Sequence, residues 1–321
     1  MPSKLEQLRS GIDRLTPLFV LIDPMVGEPL PGIGAPEAGA DMNLLRKQLW
    51  QREVVGIALA KEIALPPYLH PYLVQLQGPD DPLLGLSLDL AEDERAAAQA
   101  GGLDGEGRAA HRIGGWLQSS MQPEELAGIV AGICRLDTDA YTKATYLRLG
   151  DRRVLDLLCH VVDDSRVASQ FGRLQSWDYL DPAGRLRRLR SPGELAAPLR
   201  LNAGEWQRLV RGELLHRTVA QWLGEIAQTD GVPPEALYAA AESAVEHAAS
   251  AARVWPHRFK TAGDEAVWAV LSLLHPSLPH APAVLKLLAD SGSEDDPPEP
   301  MRYLHRDVRG LAQQASAVLI R

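Results

Sequence analysis

Tyr146-Leu-Arg-Leu-Gly-Asp-Arg-Arg-Val-Leu-Asp-Leu-Leu-Cys159 decides how this chain is read: a short apolar strand pattern runs through an Arg/Asp/Arg cluster straight into an amphipathic helix. Thr145, Tyr146, Leu147 and Leu149 favour an extended strand, and Gly150-Asp151 makes a turn whose carboxylate can cap the free N–H groups of the helix that follows. Val154, Leu155, Leu157, Leu158, Val161 and Val162 recur at three-to-four spacing, which predicts one buried helix face packed on the strand. Arg148 and Arg153 flank the junction. A cation near a helix start opposes the macrodipole and calls for a carboxylate partner, of which Asp151 is the nearest. The cluster reads either as an ion pair that fixes a turn or as a surface that meets a partner.

Outward from this stretch the texture of the chain divides near residue 190. Before it, strand-like runs alternate with helical ones: Leu18–Asp23, Tyr72–Leu76, Leu84–Leu88, the neighbourhood of Trp116-Leu117, Ala144–Leu149 and Ser176–Leu180. Helices are expected at Met42–Trp50 and from Pro123, behind the hydroxyls of Ser119-Ser120. After Ser191-Pro-Gly the chain reads as helical. Trp206, Leu209, Val210, Leu214, Trp222, Leu223 and Ile226 predict one long amphipathic helix that Gly231-Val-Pro-Pro stops. An alanine-rich helix follows from Pro234 to Ala252, then others at Asp264–Leu274, Ala283–Leu288 and Tyr303–Leu319. The expected fold is α+β, with an N-terminal mixed α/β lobe holding a small mixed sheet (1–190) and an all-helical lobe (191–289). An acidic, proline-rich linker (290–300), read as exposed and mobile, and a C-terminal helix (301–321) complete it.

Composition narrows the class. At 321 residues the chain exceeds the usual single-core size, so two lobes are expected and no covalent staple is needed. Cys134 and Cys159 both sit in apolar helical patterns and are read as buried, reduced thiols. The start Met-Pro-Ser-Lys-Leu-Glu-Gln has no basic region leading into an apolar run, and no segment approaches the length of a membrane span, so a cytoplasmic protein without membrane insertion is expected. A net charge of −9 argues against general nucleic-acid binding. One basic run departs from that balance. Arg185, Arg187, Arg188 and Arg190 read as an edge strand guarded by charge, or as a docking patch for an acidic segment. Among the seven tryptophans, Trp206 and Trp222 fall on an apolar stripe, while Trp177 beside the basic run is the candidate for a groove wall.

Catalytic patterns are incomplete wherever they start. His305-Arg-Asp307 has no glycine-rich loop before it and no asparagine at the right offset after it. Gly32-Ile-Gly34 lacks the third glycine of a dinucleotide fingerprint, and Pro36 would disrupt the helix start it needs. Glu246-His247 and the pair His275 and His280 lack the spacing of a zinc site, and Ser87, Ser119 and Ser120 lack a nucleophile elbow. No cofactor or metal is expected, and no enzyme.

Taken as Arg-x-x-Asp-x-Arg-Val-Leu, the residues Arg148, Asp151, Arg153, Val154 and Leu155 resemble the signature of the effector-adaptor family of bacterial type VI secretion. Leu18–Asp23 is similar to that family's opening strand ending in aspartate. Pro71-Tyr-Leu-Val-Gln-Leu76 is similar to its later strand, and the order of the three pieces fits. At Gly150 and Arg152 the family pattern has an aromatic residue and a proline instead. The resemblance implies a cytoplasmic adaptor or chaperone that holds a secreted toxin effector and loads it on the VgrG spike, with Arg148, Asp151 and Arg153 as its motif. Two other classes compete: an immunity protein that blocks a toxin, and a hydrolase or transferase within the N-terminal lobe.

Overall fold

The computed structural model describes residues 2–32, 41–61, 63, 65–139, 141–194, 198–226, 234–292 and 297–319. It shows a mixed α/β region built on an antiparallel sheet and a C-terminal helical region. Two compact units form, one from Met1–Arg95 with Ala110–Val210, the other from Ala96–Ala109 with Arg211–Arg321. No helix among the described residues is long and apolar enough to cross a membrane.

The first unit runs α1 (Lys4–Ser10), β1 (Leu18–Ile22), α2 (Met42–Trp50), β2 (Val54–Gly56), β3 (Tyr72–Leu76) and α3 (Pro82–Gln99, whose last turn belongs to the second unit). It continues through β4 (Ile113–Ser119), α4 (Pro123–Ile133), β5 (Arg135–Thr138), β6 (Tyr141–Tyr146), α5 (Arg152–Val162), α6 (Asp164–Ala168), β7 (Leu174–Leu180), β8 (Leu186–Arg190), β9 (Arg200–Leu201) and α7 (Ala203–Val210). The main sheet has the order β2-β3-β1-β4-β7-β8, every pair antiparallel; only the small sheet β6-β5-β9 is mixed. Strand β1 lies at the centre and is buried along its whole length, which is why Leu-Phe-Val-Leu-Ile is apolar at every position rather than at alternate ones. Leu18, Val20 and Ile22 join Tyr72, Val74, Trp116, Leu84, Leu88 and Ala91 in one core beneath α1 to α3. Phe19, Leu21, Leu73 and Leu117 alternate with that set and are also buried, on the face where α4 and α5 pack.

Three local expectations are corrected. Leu84–Leu88, read as strand-like, lies inside α3: Leu84, Leu88 and Ala91 are buried at helical spacing while Leu86 is 38% exposed, which a strand presenting 84, 86 and 88 on one face would not allow. Asp81 starts that helix by accepting the Leu83 N–H at 2.9 Å. The hydroxyl cap foreseen for α4 is absent; Gln122 occupies the N-cap without a side-chain bond, and Ser119 Oγ accepts the Met121 N–H at 3.1 Å instead. Strand β6 ends at Tyr146, before the expected Leu149.

The second unit contains α8 (Gly212–Glu225), α9 (Pro234–Val254), α10 (Ala262–Leu274), α11 (Pro282–Ala289) and α12 (Met301–Leu319). The single long helix expected over Trp206–Ile226 is two, α7 and α8, broken at Arg211 with ψ near 3° ahead of Gly212. Glycine's low helix propensity makes that position the cheapest place to interrupt the periodicity. Gly231-Val-Pro-Pro lies largely outside the described residues, as do Ile33 and Gly34 of the Gly32-Ile-Gly34 loop and residues 293–296 of the linker. The described ends of that linker converge on one buried side chain: Arg258 Nη2 donates to Asp290 O at 2.7 Å and Nη1 to Glu299 O at 2.9 Å. His305-Arg-Asp307 sits within α12, where a catalytic loop has no place.

A bulge in β4 fixes the middle of the main sheet. Leu21 faces Gly115 but Ile22 faces Ile113, and Gly115 has φ +134°, with space for a Cβ only 2.3 Å from the Asp178 carbonyl oxygen. Gly115→Ala combines backbone strain with a clash against β7, and we expect a loss of about 3 kcal/mol or more in denaturant unfolding.

Candidate functional site at the end of the central strand

Asp23 follows the last residue of β1. Its Oδ1 accepts the Met25 N–H at 2.9 Å and turns the chain into a short 3-10 segment, which leaves Oδ2 directed at the loop after β6. There Arg148 Nε donates to Asp23 Oδ2 at 2.7 Å. Asp151 caps α5 through the Arg153 N–H at 3.1 Å, and its carboxylate is gripped by Arg153 Nε at 3.0 Å and Nη2 at 2.7 Å. Arg148 Nη1 lies 3.8 Å from Asp151 Oδ2, so the strongest partner of Arg148 is Asp23, while the foreseen pairing with Asp151 belongs chiefly to Arg153. Two arginines and two aspartates thus alternate across the junction, the aspartates buried and the arginines half-buried. Burial raises the Asp23 carboxyl above its ordinary value, against the opposing pull of Arg148. Arg148 Nη2 is buried and has no hydrogen-bond partner among the described residues.

Gly150 and Arg152 each have a structural part in the junction. A side chain at Gly150 would place its Cβ 2.9 Å from the Asp23 Cβ, so the turn closes over Asp23 only without one. Arg152 turns inward, with a side chain 3% exposed. Nη1 donates to Glu94 Oε2 at 2.7 Å and Ile113 O at 3.0 Å, and Nη2 to Ala91 O at 2.6 Å. Glu94 Oε1 in turn accepts the Arg112 N–H at 2.9 Å and Nε at 3.1 Å. Arg112 Nη1 reaches the Glu28 carbonyl at 3.0 Å, and the Glu28 carboxylate holds buried Arg46 at 2.9 Å and accepts the Tyr72 hydroxyl at 2.5 Å. The sequence reading missed this inner network, because nothing in the spacing of Glu28, Glu94 and Arg152 marks them as neighbours.

The basic run is present as edge strand β8, but its charge is matched within the unit. Arg185 pairs with Asp181 at 2.7 Å, Arg187 with Asp164 at 2.8 Å, and Arg188 holds both oxygens of Asp178 at 2.5 and 2.9 Å. Arg190, at the strand's end, is the exposed member. This is the guarded edge rather than an open basic patch. Trp177 is corrected from groove wall to core: it is fully buried, donates from Nε1 to Gly114 O at 3.1 Å and packs 6.0 Å from the Phe171 ring.

Cys134 and Cys159 are both buried and free, and burial pushes the Cys134 thiol up to about 12, far from the thiolate a nucleophile needs. No group of three or more His, Cys, Asp or Glu side chains that could hold a metal occurs among the described residues. What the junction offers is a pair of half-buried arginine side chains held in place by two buried aspartates. No protein-family profile matches this chain, and neither a curated protein nor a solved structure matches it.

One further acid sits behind the motif on α5. Asp156 is buried and accepts the Tyr179 hydroxyl at 2.9 Å, and burial, with Asp181 adding to it, pushes its carboxyl up to about 7. The folded chain therefore holds a proton up to about pH 7 that the unfolded chain releases near pH 4, so this group lowers stability as pH rises across that window. Asp156→Asn keeps an acceptor for Tyr179 and is expected to stabilise the protein by about 2–4 kcal/mol at pH 8 and by much less at pH 4, read from paired unfolding curves. Arg152→Ala leaves one buried oxygen of Glu94 unmet and is expected to cost about 3–5 kcal/mol, against roughly 1–2 kcal/mol for Arg153→Ala at the half-buried junction; equal losses in urea unfolding would contradict the division between inner network and outer pair.

Proposed function

We propose that this protein is a cytoplasmic adaptor of the type VI secretion kind, which binds a secreted toxin effector and delivers it to the VgrG spike, and that it catalyses no reaction. In this reading the sheet unit is the adaptor lobe carrying the Arg148/Asp151/Arg153 motif, and the helical region is a second lobe that follows it. The observation that carries the reading is the ion pair between Asp23 and Arg148. Three separated pieces of sequence suggested the resemblance: an opening strand ending in aspartate, a Pro-Tyr-Leu-Val-Gln-Leu strand and the arginine motif. They lie together, since β1 pairs with β3 and its terminal aspartate holds the first motif arginine. Residues that serve only local turns have no need of such convergence.

The chemistry of the junction also favours recognition. The Arg148 and Arg153 side chains are half-buried and buried aspartates fix their positions, so little side-chain freedom remains to be lost on binding. An adaptor must also release its cargo at the spike, which suits a wet interface of moderate affinity better than a deep pocket.

The test is affinity purification of the tagged protein from the cells that make it, with mass spectrometry of what accompanies it, repeated for Arg148→Ala and Arg153→Ala. We expect a spike protein and one large multidomain toxin with the wild type, and loss of one of them, by tenfold or more, from a variant that circular dichroism shows to be folded. A monomer that purifies without partners overturns the adaptor reading.

A further inference from the structure

The helical unit contains a hollow that the adaptor reading does not use. Helix α9 lines one side with small residues at helical spacing, including Ala244 and Ala251, while Trp268 and Ser272 of α10 form the other wall. The turn after α10 closes one end, and the space measures about 560 Å³, within the range of small-molecule sites. Its floor is rigid. Trp268 is buried and stands edge-on to Phe259 at 6.1 Å, and Ser272 Oγ is already committed to the Trp268 carbonyl at 2.9 Å. A body resting there meets mostly carbon.

The ionisable groups that line the hollow are of one kind. The chain as a whole carries a net charge of −9, yet among the described lining residues there is no Asp, Glu, Lys or Arg. The ionisable groups are two imidazoles, His247 on α9 and His280 on the turn. Both are exposed, and neither has a hydrogen bond or ion pair among the described residues. A ligand's anionic group would thus find two imidazole hydrogen-bond donors and no repelling carboxylate among the described lining residues, whereas an ammonium group would find no counter-charge. We propose that this hollow binds an apolar monocarboxylate, its hydrocarbon body on the α9/α10 floor and its carboxylate between His247 and His280.

The inference rests on the helical unit alone, so the outcome of the partner purification does not bear on it. Three ten-carbon probes isolate the two halves of the claim: decanoate, decanol and decylammonium, titrated into the 321-residue chain below their micelle or solubility limits and followed by calorimetry. We expect saturable binding of one decanoate per chain, with decylammonium weaker by about fivefold or more. Replacing both histidines by alanine should weaken decanoate by about fivefold or more beyond any change in decanol. Ser250→Phe, which fills the hollow from its exposed rim, should abolish binding of all three, and Ala251→Phe should do so from the floor in a chain that circular dichroism shows to be folded. Absence of saturable decanoate binding, equal affinity for the acid and the ammonium, or binding that survives Ser250→Phe would each overturn the proposal.

Discussion

The carboxylate of Glu94 is the constraint around which the sheet unit is assembled. A buried carboxylate is tolerated only when its charge is met and its lone pairs are filled. Here Arg152 of α5 donates to one oxygen and Arg112, at the entry to β4, to the other, while α3 supplies Glu94 itself. Three elements distant in sequence therefore have a single arrangement in which none of these charges is stranded. The remaining donors of Arg152 close on the carbonyls of Ala91 and Ile113, so the guanidinium is spent on holding α5 against the sheet. Hydrophobic burial alone would allow α5 to slide along the face of the sheet; the ion pair sets its register. Such a pair adds little net stability compared with apolar side chains of the same volume, and its value lies in specifying position.

That position determines what the outer junction can be. Arg148 and Arg153 stand half-buried because α5 begins where Arg152 pins it, and their aspartates are buried because Gly150 lets the turn close over Asp23. The same logic of matched charge runs along β8, where aspartates from β7, α6 and the β7–β8 turn neutralise three of the four arginines. Asp156 is the exception. It is buried against a tyrosine hydroxyl without an arginine of its own, and carries the elevated proton affinity that follows.

The helical unit solves a different problem with similar means. Small residues on α9 let neighbouring helices approach but leave a hollow beside α10, and Arg258 gathers the described ends of the acidic linker through carbonyl oxygens rather than through charge. Backbone carbonyls carry no sequence signature, which is why a segment read as mobile has its ends tied down.

Elements whose pattern depends on near neighbours could be read from the order of residues alone. The central strand Leu18–Ile22, the helix Arg152–Val162 with its Asp151 cap, the guarded edge Leu186–Arg190 and the buried thiols were all legible, because strand and helix periods, capping and charge guarding act within a few residues. Where two periods fitted the same letters, as at Leu84–Leu88, only the packing of Leu84, Leu88 and Ala91 on the sheet chose between them. The partners of the arginines were likewise left to the tertiary structure: Arg148 to Asp23, Arg152 to Glu94 and Arg188 to Asp178. An ion pair across 125 residues is a consequence of which strands lie side by side, and chain proximity carries no information about that. Trp177 makes the same point in a single residue, since its letters suited either a surface anchor or a core side chain, and only the close approach of β4 through Gly114 and Gly115 put it inside.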